Sequence, residues 1–281
     1  MLTPMASEEL DRYADWAYTL ALDLSRSGYP TYADGIKTRE MFIGRARDGL
    51  TRKNEEILLH RVDGEVCGWI HWYWLEEDGY ADTCGFLTAS HTEEALAEFV
   101  AYAAERCSGY ALHLGFPTNN ANAVRWLDDH DFRLLEASVN HTLFFDRYTR
   151  QVAPPCVRLM SGSGDEAAFR ALHADTDLYW TAERILTHPS QWRIYLYDCA
   201  CAPTAALYAR NVEGDWPEIY GMPGDVTPEA YRALMTACLN DCKASDSPHM
   251  TYFEDDERML PILAELGFEV VSRYVCYQKI L

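Results

Sequence analysis

The side chains able to do metal, nucleophilic or acid-base chemistry are scattered along this chain, and each has a packing role that competes with the chemical one. Nine cysteines, an odd number in 281 residues, argue for thiols rather than a disulfide framework. Cys199 and Cys201 form a C-x-C pair, and Cys238 and Cys242 lie one helical turn apart. Zinc knuckles ordinarily place two residues between ligands and have a second knuckle nearby, and His173, His188 and His249 do not supply one. No metal site is expected. His113 stands in an apolar stretch where it would serve as a base or as an ordinary half-buried imidazole. Glu76, Glu77 and Asp78 would attract an ammonium group, but acids at a hairpin end equally mark a wet turn. Trp69, Trp72, Tyr73 and Trp74 either floor a pocket or pack a core.

Positioning such groups takes sheet and helix in alternation. Trp16, Leu20 and Leu24 recur at helical spacing in DRYADWAYTLALDLSRSG, which predicts an amphipathic helix ending at Ser27-Gly28. EEILLHRV and EVCGWIHWYWLEE flank Asp63-Gly64, a pair that tolerates positive φ, so an antiparallel hairpin is expected. YADTCGFLTA continues as a strand, Thr92 to Arg106 as a helix with acids in its first turn, and YALHLGF as another strand. An asparagine-led helix in PTNNANAVRWLDDHDF and a strand in VNHTLFF complete the half. The second half repeats this order through DEAAFRALHADTD, WRIYLYD, AALYARN, WPEIYG, a helix from Thr227 to Cys242, HMTYF, ERMLPILAELG and RYVCYQKIL. The same interval separates Gly85 from Phe132 and Gly221 from Phe268, with helix, strand and helix inside each. This reads as one architecture used twice.

The length suits two domains, and Pro154-Pro155 with Ser161-Gly162-Ser163-Gly164 can continue neither helix nor central strand. The expected division is 1–151 and 152–281. Apolar residues make up 48% of the chain, enough to fill a core in each half. A net charge of −20 repels a nucleic-acid backbone or an anionic membrane surface, so neither is an expected partner. It fits a cationic or neutral partner, and it equally serves solubility. The N-terminus lacks a basic stretch followed by an apolar run, and a cytoplasmic location is the expectation.

The order of elements, with Asn120, Ala123 and Phe132 in the pattern N-x-x-A followed by a final Phe, resembles the GCN5-related N-acetyltransferase (GNAT) family. Asp131-Phe132 replaces the family's G-F pair. Gly267-Phe268 matches it in the second half, where Asp256 and Met259 replace the asparagine and alanine. The resemblance implies an α/β (α+β) chain of two tandem GNAT-like domains, each a mixed, mostly antiparallel sheet flanked by helices. It implies an N-acetyltransferase moving an acyl group from acetyl-CoA to a small-molecule or peptide amine by direct attack. The alternative is a noncatalytic binding or interaction protein on the same fold.

In that family the coenzyme lies between two splayed strands, its pyrophosphate on amides of a loop patterned Q/R-x-x-G-x-G/A, where small residues expose N–H groups beside a helix N-terminus. Carried over, the cofactor-binding positions are Leu87, Thr88, His91, Thr92 and Asn120. The loop falls on HTEEAL, so Glu94 and Leu96 stand where the small residues belong, a carboxylate to repel phosphate and a leucine to shield amides. After Met222-Pro223-Gly224 the second loop also lacks the arginine and paired glycines, and Gly224 offers one amide at most. The family's tyrosine acid would fall on Leu127 and Leu263, leaving Tyr110, Tyr252 and Tyr274 as substitutes. Neither a catalytic residue nor an oligomeric state follows from the sequence.

Overall fold

The computed structural model describes residues 1–152, 154–174, 179–199, 202–210 and 217–281. In chain order they form β1 (Leu2–Pro4), α1 (Leu10–Ala21), α2 (Arg39–Gly49), β2 (Glu55–Val62), β3 (Glu65–Leu75), β4 (Tyr80–Thr88), α3 (Thr92–Arg106), β5 (Ala111–Pro117), α4 (Ala121–Asp129) and β6 (Arg133–Phe144). They continue as β7 (Val157–Leu159), α5 (Gly162–Leu172), α6 (Ala182–Thr187), β8 (Trp192–Cys199), β9 (Ala202–Arg210), β10 (Glu218–Gly221), α7 (Pro228–Ala244), β11 (His249–Glu254), α8 (Leu260–Glu265) and β12 (Glu269–Ile280).

Two compact units result, one of Met1–Val139 with Val271–Leu281, the other of Asn140–Val270. These bounds differ from a division at residue 152. A closing strand goes where it finds an open edge and a face to bury, and Val275 and Tyr277 of β12 are buried in the core of the first unit. In the same way Leu143 and Phe145 are buried in the core of the second.

In the first unit β1, β2, β3 and β4 pair antiparallel in sequence order, β4 pairs parallel with β5, and β5 pairs antiparallel with β12. Residues alternate between two covered faces. Ile57, Leu59, Trp69 and Leu87 pack beneath α1 and α2, against Ala17, Leu20 and Phe42. Leu58, Ile70, Trp72, Phe86, Leu114 and Phe116 pack beneath α3 and α4, against Phe99, Ala103 and Leu127. The tryptophan run of β3 is therefore divided by strand alternation, Trp69 going to one core and Trp72 with Trp74 to the other. The Asp63-Gly64 hairpin forms as expected, with φ of 51° and 86°.

In the second unit β7, β8, β9 and β10 pair antiparallel and β10 pairs parallel with β11. Helix α7 buries Tyr231, Leu234, Met235, Cys238 and Cys242 on Tyr195, Leu207 and Met250. No helix among the described residues is long and apolar enough to cross a membrane.

Candidate functional site

Parallel pairing between β4 and β5 is confined to Tyr80↔Ala111 and Ala81↔Leu112, and past these the strands separate into a wedge. The chain itself enters that wedge. Helix α1 stops at Ala21 rather than at Gly28, because the Asp23 carboxylate accepts from the Ser25 N–H at 2.9 Å and the Ser25 hydroxyl at 2.7 Å and turns the backbone. From there Ser27 forms an antiparallel bridge with Leu87. Thr88 N–H donates to Arg26 O at 3.0 Å, Gly28 N–H to Phe86 O at 2.7 Å, and Tyr29 N–H to Gly115 O at 2.8 Å. A Cβ on Gly28 would lie 3.1 Å from Phe86 Cβ and 3.2 Å from Gly115 O, so only glycine fits between the strands without a shift.

All five residues expected to contact the coenzyme lie along this wedge. Leu87 and Thr88 present backbone groups that face residues 26 to 28, and Leu87 sends its side chain into the core under α1. Asn120 caps α4 by accepting from Ala123 N–H at 3.3 Å, and its amide donates to Ser27 O at 3.2 Å. Its polar groups are thus spent on the chain. His91 adopts φ of 57° just before α3, with its ring 3.3 Å from Glu94, while the Thr92 and Thr88 hydroxyls lie 2.8 Å apart. His91 and Thr92, with Ser25, Arg26, Ser90 and Asn122, line a cavity of about 300 Å³ at the open end of the wedge. Leu96 does not shield the loop amides as expected, because it is fully buried in the core with Phe99.

The wedge apex carries a carboxylate that sequence reasoning missed. Burial pushes the Asp82 carboxyl up to about 7 despite hydrogen bonds from the Tyr80 hydroxyl at 2.7 Å and the Thr83 N–H at 2.6 Å. Tyr274 and Cys276 of β12 lie within its electrostatic reach, and burial raises both. Tyr274 rests on Gly115, where a side chain would collide with its hydroxyl, and packs edge-on against Tyr29 with centroids 5.2 Å apart. His113, the candidate base, packs at a tilt against Tyr80 with ring centroids 4.7 Å apart, and burial lowers it to about 4, so it is a neutral wall at physiological pH. Tyr110 packs at the edge of the α3 core, Glu76, Glu77 and Asp78 are exposed at the β3–β4 turn, and Leu127 is fully buried.

On the same face Glu55, His71 and Cys84 bring three potential metal-binding atoms within 4.8 Å of one another. They form an ion-pair network instead: Arg45 donates to Glu55 and to Cys84 Sγ, and His71 Nε2 lies 2.5 Å from Glu55 Oε1. Burial alone would raise Glu55, but the bonds from His71 and Arg45 prevail and hold it at about 2. Burial pushes the Cys84 thiol up to about 12, so it offers no thiolate. Cys238 and Cys242 are free thiols buried within α7 and hydrogen-bonded to each other, and the side chains of Cys199 and Cys201 lie outside the described residues.

The corresponding loop of the second unit is differently built. Gly224, with φ of 101°, presses on Thr204 O, and Asp225 N–H donates to that same carbonyl, so the loop folds onto β9. Asp225 and Glu229 add negative charge at the start of α7. Tyr252 donates to Glu254 at 3.1 Å, both buried, while Leu263 fills the core.

No family model matches the chain, and no curated protein is similar to it in sequence. Among solved structures it is similar to a GCN5-related N-acetyltransferase from Sphaerobacter thermophilus, at 14% identity and a TM-score of 0.64, covering 99% of this chain and 95% of that one. A tandem GNAT protein from the clavulanic acid biosynthesis pathway gives 14% identity and 0.57, covering 99% and 98%. A GCN5-related N-acetyltransferase from Kribbella flavida gives 16% identity and 0.54, covering 84% and 94%. At these identities the likeness establishes the fold, a mixed α/β chain of two GCN5-related N-acetyltransferase-like units in tandem.

Proposed function

We propose that this chain is an acyl-CoA-dependent N-acyltransferase that works by direct attack of an amine, with its chemistry in the first unit. The observation that carries the reading is Asp82, a carboxyl brought to about 7 at the apex of the splayed strands. A base of that strength can take a proton from an ammonium group near neutral pH. The Tyr80 hydroxyl fixes one oxygen of Asp82, and Tyr274, within the electrostatic reach of Asp82 and kept a protonated phenol by burial, would be the candidate to supply a proton to a leaving thiolate. The coenzyme would bring the acyl thioester, and the wedge fits its extended arm. Phe86 O, Thr88 N–H and Gly115 O already hold an amide-bearing chain there. His91, Thr92 and the starts of α3 and α4 would face its phosphates.

The acceptor is proposed to be a small-molecule or peptide amine, in keeping with the acidic chain. The test is release of coenzyme A from acetyl-CoA across a panel of amines at about pH 5 to 9. The expected profile rises through about 7, and Asp82→Asn lowers kcat about 100-fold or more. Turnover unchanged in that variant would remove Asp82 from the chemistry. A second reading, a noncatalytic binding protein, is favoured by Glu94 at a small-residue position of the phosphate loop and by the filled wedge. It predicts no turnover with any amine.

A further inference from the structure

We propose that residues 25–30 are an internal surrogate for the pantetheine arm of acyl-CoA, so that seating of this segment and binding of the coenzyme are mutually exclusive. The inference rests on the acyltransferase reading above. Splayed strands leave backbone donors and acceptors unpaired inside a protein, and such groups are costly unless something bonds to them. Here Thr88 N–H, Phe86 O and Gly115 O are all satisfied by Arg26, Gly28 and Tyr29. Pantetheine is likewise an extended chain carrying two secondary amides, and it would need the same strand edges. Gly28 leaves no room for a second chain, since even a methyl there would meet Phe86, Gly115 and Phe116.

The seat is built to be left. Ser27 is fully buried, yet its hydroxyl has no partner among the described residues, a penalty that water removes when the segment withdraws. Asn120 holds the segment by one bond at 3.2 Å to Ser27 O and keeps its capping bond to α4 when that contact breaks. Ser25 and Arg26 line the cavity at the wedge mouth together with His91 and Thr92, so a ligand held there touches the segment. Withdrawal also frees Tyr29 from Tyr274, the phenol within electrostatic reach of Asp82.

The test is amide hydrogen exchange on the full chain with and without free coenzyme A, read at Gly28, Tyr29 and Thr88. All three are expected to be protected in the free protein. Coenzyme A should strip protection from Gly28 and Tyr29 while Thr88, now bonded to the ligand, keeps it. Gly28→Leu, which cannot seat, should bind coenzyme A at least 10-fold more tightly than wild type, since removing the competing state raises the competent fraction. Coenzyme binding with Gly28 and Tyr29 still protected would overturn the surrogate and leave the acyltransferase reading standing. No binding by wild type or by Gly28→Leu up to millimolar coenzyme, with no change in exchange, would overturn both.

Discussion

Asp82 and Glu55 share one face of the first sheet, and their surroundings drive them in opposite directions. Glu55 is held at about 2, below its unfolded value of about 4.3, so its contribution to stability is present above about pH 4 and lost as pH falls toward 2. Asp82 is raised to about 7, above an unfolded value of about 3.9, so its contribution is full below about pH 4 and lost as pH rises through about 7. Urea midpoints measured across pH should therefore fall on both sides. Asp82→Asn should flatten the alkaline side, and Glu55→Gln the acid side. Glu55→Gln should also destabilise the protein by about 2 kcal/mol near neutrality, because it strips a charge from Arg45 and leaves a cluster in which His71 is buried. The asparagine-led start of α4 was legible because capping residues mark helix starts, whereas Asn120 itself was read as a coenzyme contact through the family resemblance. Asp82 was not legible, since an aspartate in a polar stretch of strand gains its property from burial alone.

Elements with a strong period were readable: the Asp63-Gly64 hairpin, α3 and α7 lie where alternation and helical spacing put them. The end of α1 was not. Leu24 continues the spacing of Trp16 and Leu20, but the Asp23–Ser25 turn stops the helix early and frees residues 26 to 29 to enter the wedge. A local side-chain bond thus prevailed over periodicity, and residues 26 to 29 fill the wedge. Asn120 belongs to both features, so Asn120→Ala should cost about 1 kcal/mol through the lost cap. The same variant should speed amide exchange at Gly28 and Tyr29, whereas Asn120→Asp, which keeps the capping oxygen, should restore stability without restoring slow exchange.

For the whole molecule, the repetition seen in the sequence corresponds to a fold with two GCN5-related N-acetyltransferase-like units in tandem. The partition of strands was hidden, because β12 and the second part of β6 are assigned by edge pairing and burial, which no composition shift marks. The units differ in what their openings offer an anion. The first has a polar cavity beside Arg26 and His91, and the second has Asp225 and Glu229 at the start of α7. A single coenzyme site is therefore expected. The most direct measurement is isothermal titration of the purified chain with acetyl-CoA at moderate salt. An N-acyltransferase acting through the first unit should bind one equivalent with a Kd near micromolar, about −8 kcal/mol, in a Gly28→Leu background if the seated segment masks it in wild type. Absence of binding up to millimolar in both proteins would contradict the acyltransferase function and leave the noncatalytic reading.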